Sequence, residues 1–429
     1  MRPLLAAAYE VAARLALVAA HLAPVGQSKL ARTLRARRGL ADRYRAWATA
    51  HRDVARPLLW MHAPSVGEGL QARPVLERLR DARPDVQLAY THFSPSAEAF
   101  AARLNVDFRD YLPFDAITAA RGALDTLRPT VLVFSKVDVW PTLTREARTR
   151  GVRLGLISAT LAARSSRRGG FASAMLRDAY ARLDAVGAID GDDAERLTEL
   201  GVRRDVIEVT GDTRYDQVWA RAAAVDRSSA LLAPLISTRP TLVAGSTWPA
   251  DERVLLAAWP SVRRDVPEAR LIIAPHEPTA THLAPIERWA EESGITHARL
   301  GATAAQHADV VVVDRVGVLG DLYALASVAF VGGGFHAAGL HSVIEPAAFG
   351  APVTFGPRWQ MSRDAALLLR TTGALAVASP AEMVKALREW LISPSARRDA
   401  GDHAREMVRS GLGAAERTVA LVVRLLDRR

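Results

Sequence analysis

From residue 56 the chain alternates short apolar runs with amphipathic stretches of ten or so residues. "PLLWMHA", "VQLAYTHF", "TVLVFSKV", "RLGLISA", "AVGAID" and "VIEVTGD" are separated by helical stretches near 69–80, 96–104, 141–150 and 173–183. A second series runs "PTLVAGST", "ARLIIAPHEP", "HARLG", "DVVVVDRVG", "ASVAFVGGGF" and "APVTFG". Short apolar strands alternating with helices predict parallel βαβ units whose sheets are covered on both faces. The fold class is therefore α/β, as two Rossmann-like domains facing an inter-domain cleft, where ligands meet the carboxyl ends of the strands. The boundaries read as 1–50 for an N-terminal helix and basic segment, 51–216 for the first domain, and 217–238 for a linker with an alanine-rich helix over 217–233. The second domain occupies 239–400 and a C-terminal helix 401–429, within a helical region from about 381 interrupted near "ISPSARRDAG".

The first helix is apolar nearly all round. In "MRPLLAAAYEVAARLALVAAHLAPVGQ" the polar residues Glu10, Arg14 and His21 fall within about 40° of one another on a helical wheel, and Arg2 lies at the end. An uninterrupted span of about 18 apolar residues is absent, as is a small-residue cleavage site. Such a helix either lies in or crosses a membrane, with Glu10 and Arg14 paired one turn apart, or docks on its own domain. The basic stretch "KLARTLRARRGLADRYR" that follows suits anionic headgroups.

Composition adds a formal charge of +10, which favours an anionic partner. Only Lys29, Lys136 and Lys385 are lysines, so the excess is arginine in an alanine-rich chain. Aromatic residues do not interleave with the basic ones, which argues against a nucleic-acid surface. With no cysteine, disulfides, thiolate metal sites and a cysteine nucleophile are excluded.

Candidate chemistry lies at the strand ends. In "HAPSVGEG", Ser65, Gly67, Glu68 and Gly69 sit between a strand and a helix. Ser65 or Glu68 could simply cap that helix, whereas a partly buried carboxylate whose pKa rises toward neutrality could act as acid or base. "AGST" places Ser246 and Thr247 before a helix with an acidic first turn, an arrangement suited to phosphate oxygens or to ordinary capping. "IIAPHEPTATH" carries His276, Glu277 and His282 without H-E-x-x-H spacing, leaving phosphate-facing, structural and metal-ligating readings open. In "FVGGGFHAAGLHSVIEP" the triplet Gly332, Gly333 and Gly334 follows a strand, with Gly339, His341 and Ser342 preceding a helix that bears Glu345. A glycine turn admits a phosphate and an acid in the first helical turns can accept ribose hydroxyls. "KVDVWP" ends a strand with Lys136 and Asp138.

Taken in order, these motifs resemble the bacterial 3-deoxy-D-manno-octulosonic acid (Kdo) transferases, membrane-associated glycosyltransferases of the GT-B fold. "HAPSVGE", "THFSPSAE", "YLPFD", "KVDVWP", "ISATLAARS", "VTGDTRYD", "AGST", "IIAPHEP", "DRVGVLGDLYALASVAFVGGG" and "GLHSVIEPAAFGAPVTFGP" carry the likeness over nearly the whole chain. The resemblance implies Kdo transfer from CMP-Kdo to a lipid A precursor in lipopolysaccharide biosynthesis, at the cytoplasmic face of the inner membrane. It implies Glu68 as the base, and Ser246, Thr247, His276, Arg315, Gly317, Leu319, Tyr323, Gly333, Gly334, His341, Ser342 and Glu345 around the donor, with Glu345 on the ribose. Ser65, Gly67, Ser94, Ser96, Lys136 and Asp138 are expected at the acceptor. No metal, other cofactor or nucleic acid is expected.

Several of the departures fall on charged positions. His276 and Glu277 stand where the family has arginine and histidine, Lys136 and Asp138 where it has two acids, and Ser342 where it has asparagine. The stretches Ser158 to Ala162 and Gly211 to Asp216 also differ. Arg315 or Arg358 could replace the missing phosphate-facing arginine, since a guanidinium fork has no geometric equivalent in histidine or lysine. A different nucleotide-sugar donor, a sugar-nucleotide epimerase of the same fold and a catalytically silent relative are the other readings.

Overall fold

A computed structural model describes residues 3–22, 28–162, 165, 167 and 169–428. The chain forms two compact units, one made of residues up to Asp216 together with those from Leu412 on, the other of Gln217–Gly411.

The first unit is built on a parallel sheet of β1 Leu58–His62, β2 Gln87–His92, β3 Phe108–Tyr111, β4 Val131–Ser135, β5 Arg153–Ala159, β6 Ala185–Ala188 and β7 Ile207–Val209. Their order is β3-β2-β1-β4-β5-β6-β7, so the winding reverses between β1 and β4. Side-chain alternation fills both faces: Leu58, Trp60, Leu132 and Phe134 enter one core, while Leu59, Met61, Val131 and Val133 enter the other. Helix Ala414–Asp427 covers that second face with Leu421, Val422 and Leu425. Asp216 fixes its start by accepting from the backbone N–H groups of Gly413 at 2.9 Å and Ala415 at 2.8 Å.

The second unit repeats the plan with β8 Thr241–Thr247, β9 Arg270–Pro275, β10 His297–Arg299, β11 Val310–Val312, β12 Val328–Val331, β13 Val353–Phe355 and β14 Ala374–Ala376. The order β10-β11-β9-β8-β12-β13-β14 puts the reversal between β8 and β12.

Three expectations change. The helix expected over 217–233 is Thr213–Ala224, because Asp226 takes the N–H and hydroxyl of Ser228 into a local turn that ends it. The stretch 96–104 holds only a short turn, Pro95–Ala97, and Glu98–Ala101. In the N-terminal helix Pro3–Leu22, Glu10 does not face water. It accepts from the Ile117 N–H at 3.1 Å and from Arg14 at 2.8 Å, and the neighbouring Tyr9 hydroxyl donates to Asp115 at 2.8 Å. Those contacts dock the helix on the first unit and leave Val11, Leu15 and Val18 exposed by 56%, 64% and 55% along the outer face. Arg2 and the side chains of His21 and Lys29 lie outside the described residues. Among the described residues no helix is long and apolar enough to cross a membrane.

Candidate active site

In the first unit the candidate groups gather where β1 and β4 diverge. Ser65 occupies the cap position of helix Val66–Ala82, yet its side chain caps no backbone N–H. Its hydroxyl donates instead to Glu68 Oε2, and Lys136 Nζ donates to Oε1 from 3.3 Å. Thus the acid in the turn is not a helix cap but the centre of a Ser65–Glu68–Lys136 cluster. Lys136 reaches it because it follows β4 directly in a left-handed conformation, φ +69°, while Ser135 donates its hydroxyl to the Glu68 carbonyl at 3.1 Å.

Gly69 is required by close approach, since a Cβ there would lie 2.5 Å from Phe100 and 2.8 Å from the Tyr90 hydroxyl. Burial favours the neutral form of Glu68, but the Ser65 hydroxyl and the Lys136 ammonium outweigh it and hold the pKa below the ordinary carboxylate value. The upward shift expected from burial is therefore reversed.

Neighbouring loops are tied to this cluster. The N–H groups of Phe93 and Ser94 donate to the Pro64 carbonyl at 3.0 and 2.8 Å, and the Ser94 and Ser96 hydroxyls bond each other at 2.8 Å. Asp138 turns elsewhere, 3.8 Å from the buried His62 and 3.5 Å from Arg167. Trp140 packs on Phe93 and donates to His62 Nε2 at 3.3 Å. Ser158 is buried and bonds Thr213 at 3.2 Å, an internal strut rather than a cavity wall.

In the second unit the site forms where β8 and β12 diverge. A Cβ on Gly332 would meet the Ser246 carbonyl at 2.2 Å, so only glycine lets these strand ends close up. The loop is latched by Asp251, which is fully buried in helix Pro249–Asp265. Asp251 Oδ2 accepts from Trp248 N at 2.9 Å and Gly333 N at 2.7 Å, and Oδ1 from Phe335 N at 3.0 Å. Gly332 N donates to the Gly245 carbonyl at 2.9 Å. Two of the three glycine N–H groups are thus committed inside the protein. The Thr247 hydroxyl is committed as well, to Glu252 at 2.8 Å.

Around the latch, Trp248 stacks on His336, with centroids 4.3 Å apart, and on His276 at 4.6 Å. His341 lies 4.6 Å from His276 and accepts from Trp248 Nε1 at 3.1 Å through Nε2. Burial and the nearby His276 and His336 push the His341 pKa down to about 4, so this ring is neutral at physiological pH. Leu319 and Tyr323 close over Gly245. Glu345 begins a short helix beside Tyr323, and burial raises its pKa against the lowering pull of Arg221.

Arg358 donates its backbone N–H to the Gly334 carbonyl at 2.9 Å and exposes its side chain next to the triplet. By contrast, Arg315 is held by the Leu300 carbonyl at 2.6 Å and by Asp314 at 2.9 Å. No hydrogen bond or ion pair among the described residues links Arg315, Gly317 or Ser342 to the stacked rings. His282 folds back onto the Glu277 carbonyl at 2.7 Å, and no cluster of three acidic or histidine side chains among the described residues is arranged to hold a metal ion.

Sequence reasoning missed Asp251, Trp248 and His336. The signal was available for Asp251, an acid three residues after the helix-capping Trp248 in "WPAD".

Two parallel-sheet domains, each with polar groups at its reversal point, define the GT-B fold of sugar-nucleotide enzymes. Solved structures agree: the UDP-GlcNAc 2-epimerase of Neisseria meningitidis covers 86% of this chain and 100% of its own at TM-score 0.65 and 14% identity. A glycosyltransferase from Rickettsia africae covers 87% and 100% at TM-score 0.59 and 10% identity. The family model described as 3-deoxy-D-manno-octulosonic-acid transferase (kdotransferase) matches residues 8–217. The 3-deoxy-D-manno-octulosonic acid transferase of Bordetella pertussis is 31% identical over 87% of this chain and 89% of its own. That of Haemophilus influenzae is 25% identical over 92% and 93%. The chain belongs to the Kdo transferase family.

Proposed function

We propose that this protein transfers Kdo from CMP-Kdo to a hydroxyl of a lipid A precursor with inversion at the anomeric carbon. The observation that carries the reading is the Ser65–Glu68–Lys136 cluster at the reversal point of the first sheet, in a chain of this family. As the acceptor oxygen attacks, a new C–O bond forms at the anomeric carbon and the bond to the CMP phosphate breaks. The acceptor proton goes to Glu68 and the electron pair leaves with CMP.

A carboxylate held by an ammonium is a weak base. Lys136, with 43% of its side chain exposed, is placed to swing to an anionic group of an incoming substrate and so release Glu68. In the second unit Glu345 accepts the ribose hydroxyls, while Ser246, His276, His336 and Arg358 meet the phosphate. Arg358 takes the role left by the missing arginine, and its guanidinium supplies the bidentate geometry an imidazole lacks.

Location follows from the N-terminal helix. The stripe Val11, Leu15 and Val18 lies flat in the cytoplasmic face of the inner membrane, each side chain contributing on the order of 1 kcal/mol by leaving water. The test is Glu68→Gln: kcat for Kdo transfer falls about 10²- to 10⁴-fold with CMP affinity unchanged. A rate within twofold of the parent removes Glu68 from the chemistry.

A further inference from the structure

A cavity of about 710 Å³ opens at the carboxyl ends of β2 and β3, beside the loop that carries Ser94 and Ser96. Arginines from three elements line it: Arg32 and Arg35 of helix Lys29–Arg35, Arg43 of helix Leu40–His51, and Arg109 of β3. Against these four guanidinium groups stand two carboxylates, Asp110 and Glu98, an excess of two positive charges. Asp110 is held bidentately by Arg43 at 2.7 and 2.8 Å, and Glu98 accepts from the Tyr111 hydroxyl at 3.1 Å. Among the described residues Arg109, which is exposed, reaches only the Leu104 carbonyl, at the 3.5 Å limit of a hydrogen bond. Arg32, also exposed, makes no side-chain hydrogen bond or ion pair among the described residues.

The wall of the cavity carries the second clue. His92, the last residue of β2, is only 3% exposed, yet neither ring nitrogen has a hydrogen-bond partner among the described residues. Its ring packs 4.2 Å from that of Tyr111 and lines the same space as the arginines. An imidazole buried with both nitrogens unbonded has given up its bonds to water without replacement. Both nitrogens are sealed from solvent, so a ligand oxygen would bond one only once the ring turned toward the cavity.

We propose that this cavity is a phosphomonoester-binding site. A dianionic phosphate matches the excess of two charges, and guanidinium forks suit its oxygens. Burial pushes the His92 pKa down to about 4, so the ring is neutral and adds nothing to the excess of two charges. The volume admits the sugar that carries the phosphate as well as the phosphate itself. Assigning the group to the phosphorylated glucosamine of the acceptor rests on the function proposed above; binding of the phosphate itself does not.

The experiment is calorimetric titration of the full chain with glucosamine 1-phosphate, with glucosamine as the control that lacks the phosphate. In parallel, binding is measured to phosphatidylcholine vesicles with and without phosphatidic acid. Parent protein is compared with Arg32→Gln/Arg109→Gln, both exposed positions, and with Arg32→Lys/Arg109→Lys, which keeps the charge. Glucosamine 1-phosphate is expected to bind the parent, to lose at least tenfold in affinity to the glutamine variant, and to recover part of that loss with lysine. Equal binding of parent and glutamine variant, or equal binding of glucosamine and its phosphate, overturns the proposal. If the variant loses only phosphatidic acid binding, the group recognised is a lipid headgroup and the sugar assignment falls. If sugar phosphate binds as expected while no Kdo is transferred, the proposed function fails and the site stands.

Discussion

Asp251 is the residue on which the geometry of the second site turns. Replacing it with asparagine keeps its shape but removes its charge and one of its two acceptor atoms. In the better orientation the amide oxygen retains the Trp248 and Gly333 N–H groups, and the amide nitrogen then faces the Phe335 N–H. Two charge-assisted hydrogen bonds become neutral ones and one buried donor loses its partner. At about 1–3 kcal/mol for an unsatisfied buried group, plus the weaker neutral bonds, the local cost is about 2–4 kcal/mol. Since about 1.4 kcal/mol is a factor of ten, amide exchange in a peptide covering 330–336 should speed up between about thirty- and several-hundred-fold. Hydrogen-exchange mass spectrometry reads this directly, and a CMP titration should show at least a tenfold loss as the loop loosens. Exchange within twofold of the parent would mean the carboxylate does not hold the glycine loop.

Three further outcomes are expected. Lys136→Met removes an ammonium that lowers the Glu68 pKa, so the acid limb of kcat/KM moves to higher pH; an unmoved limb would show that Glu68 is not the titrating base. Burial pushes the Asp115 pKa up from 3.8 to about 7 despite the N–H groups of Thr142 and Leu143 and the Tyr9 hydroxyl. The folded state therefore holds that proton more tightly than the unfolded chain, and the stability of the first unit falls as pH rises from about 4 to about 7. Urea unfolding at pH 5 and pH 8 should show that decline, and Asp115→Asn should flatten it; a parent with no decline refutes it. Tyr9→Phe removes a donor to Asp115, and the N-terminal helix should be cut faster by a protease, reflecting a docking loss of about 1–3 kcal/mol. Unchanged cutting would mean that other contacts hold the helix.

The central strands were readable because a strand buried on both faces is an unbroken apolar run, as "TVLVFSKV" is for β4. The edge strands β3 and β14 were not, since each has one neighbour and an incompletely buried face: "FRDY" carries Arg109 and Asp110 where an apolar run would be sought. Glu68 stood out by its place between glycines, but its partners did not, because Lys136 arrives from a strand 68 residues away. The docking of the N-terminal helix was hidden for the same reason: Glu10 reads as an exposed polar stripe until Ile117 supplies an N–H across 107 residues. Long-range pairing, absent from local periodicity, also returns the last helix to the first unit through Asp216.

The most direct measurement is incubation of the purified protein with CMP-Kdo and a lipid A precursor, following CMP release and the mass of the lipid together. The account predicts one Kdo mass added to the lipid for each CMP released. CMP released with no heavier lipid, or turnover with another nucleotide sugar but none with CMP-Kdo, would contradict it.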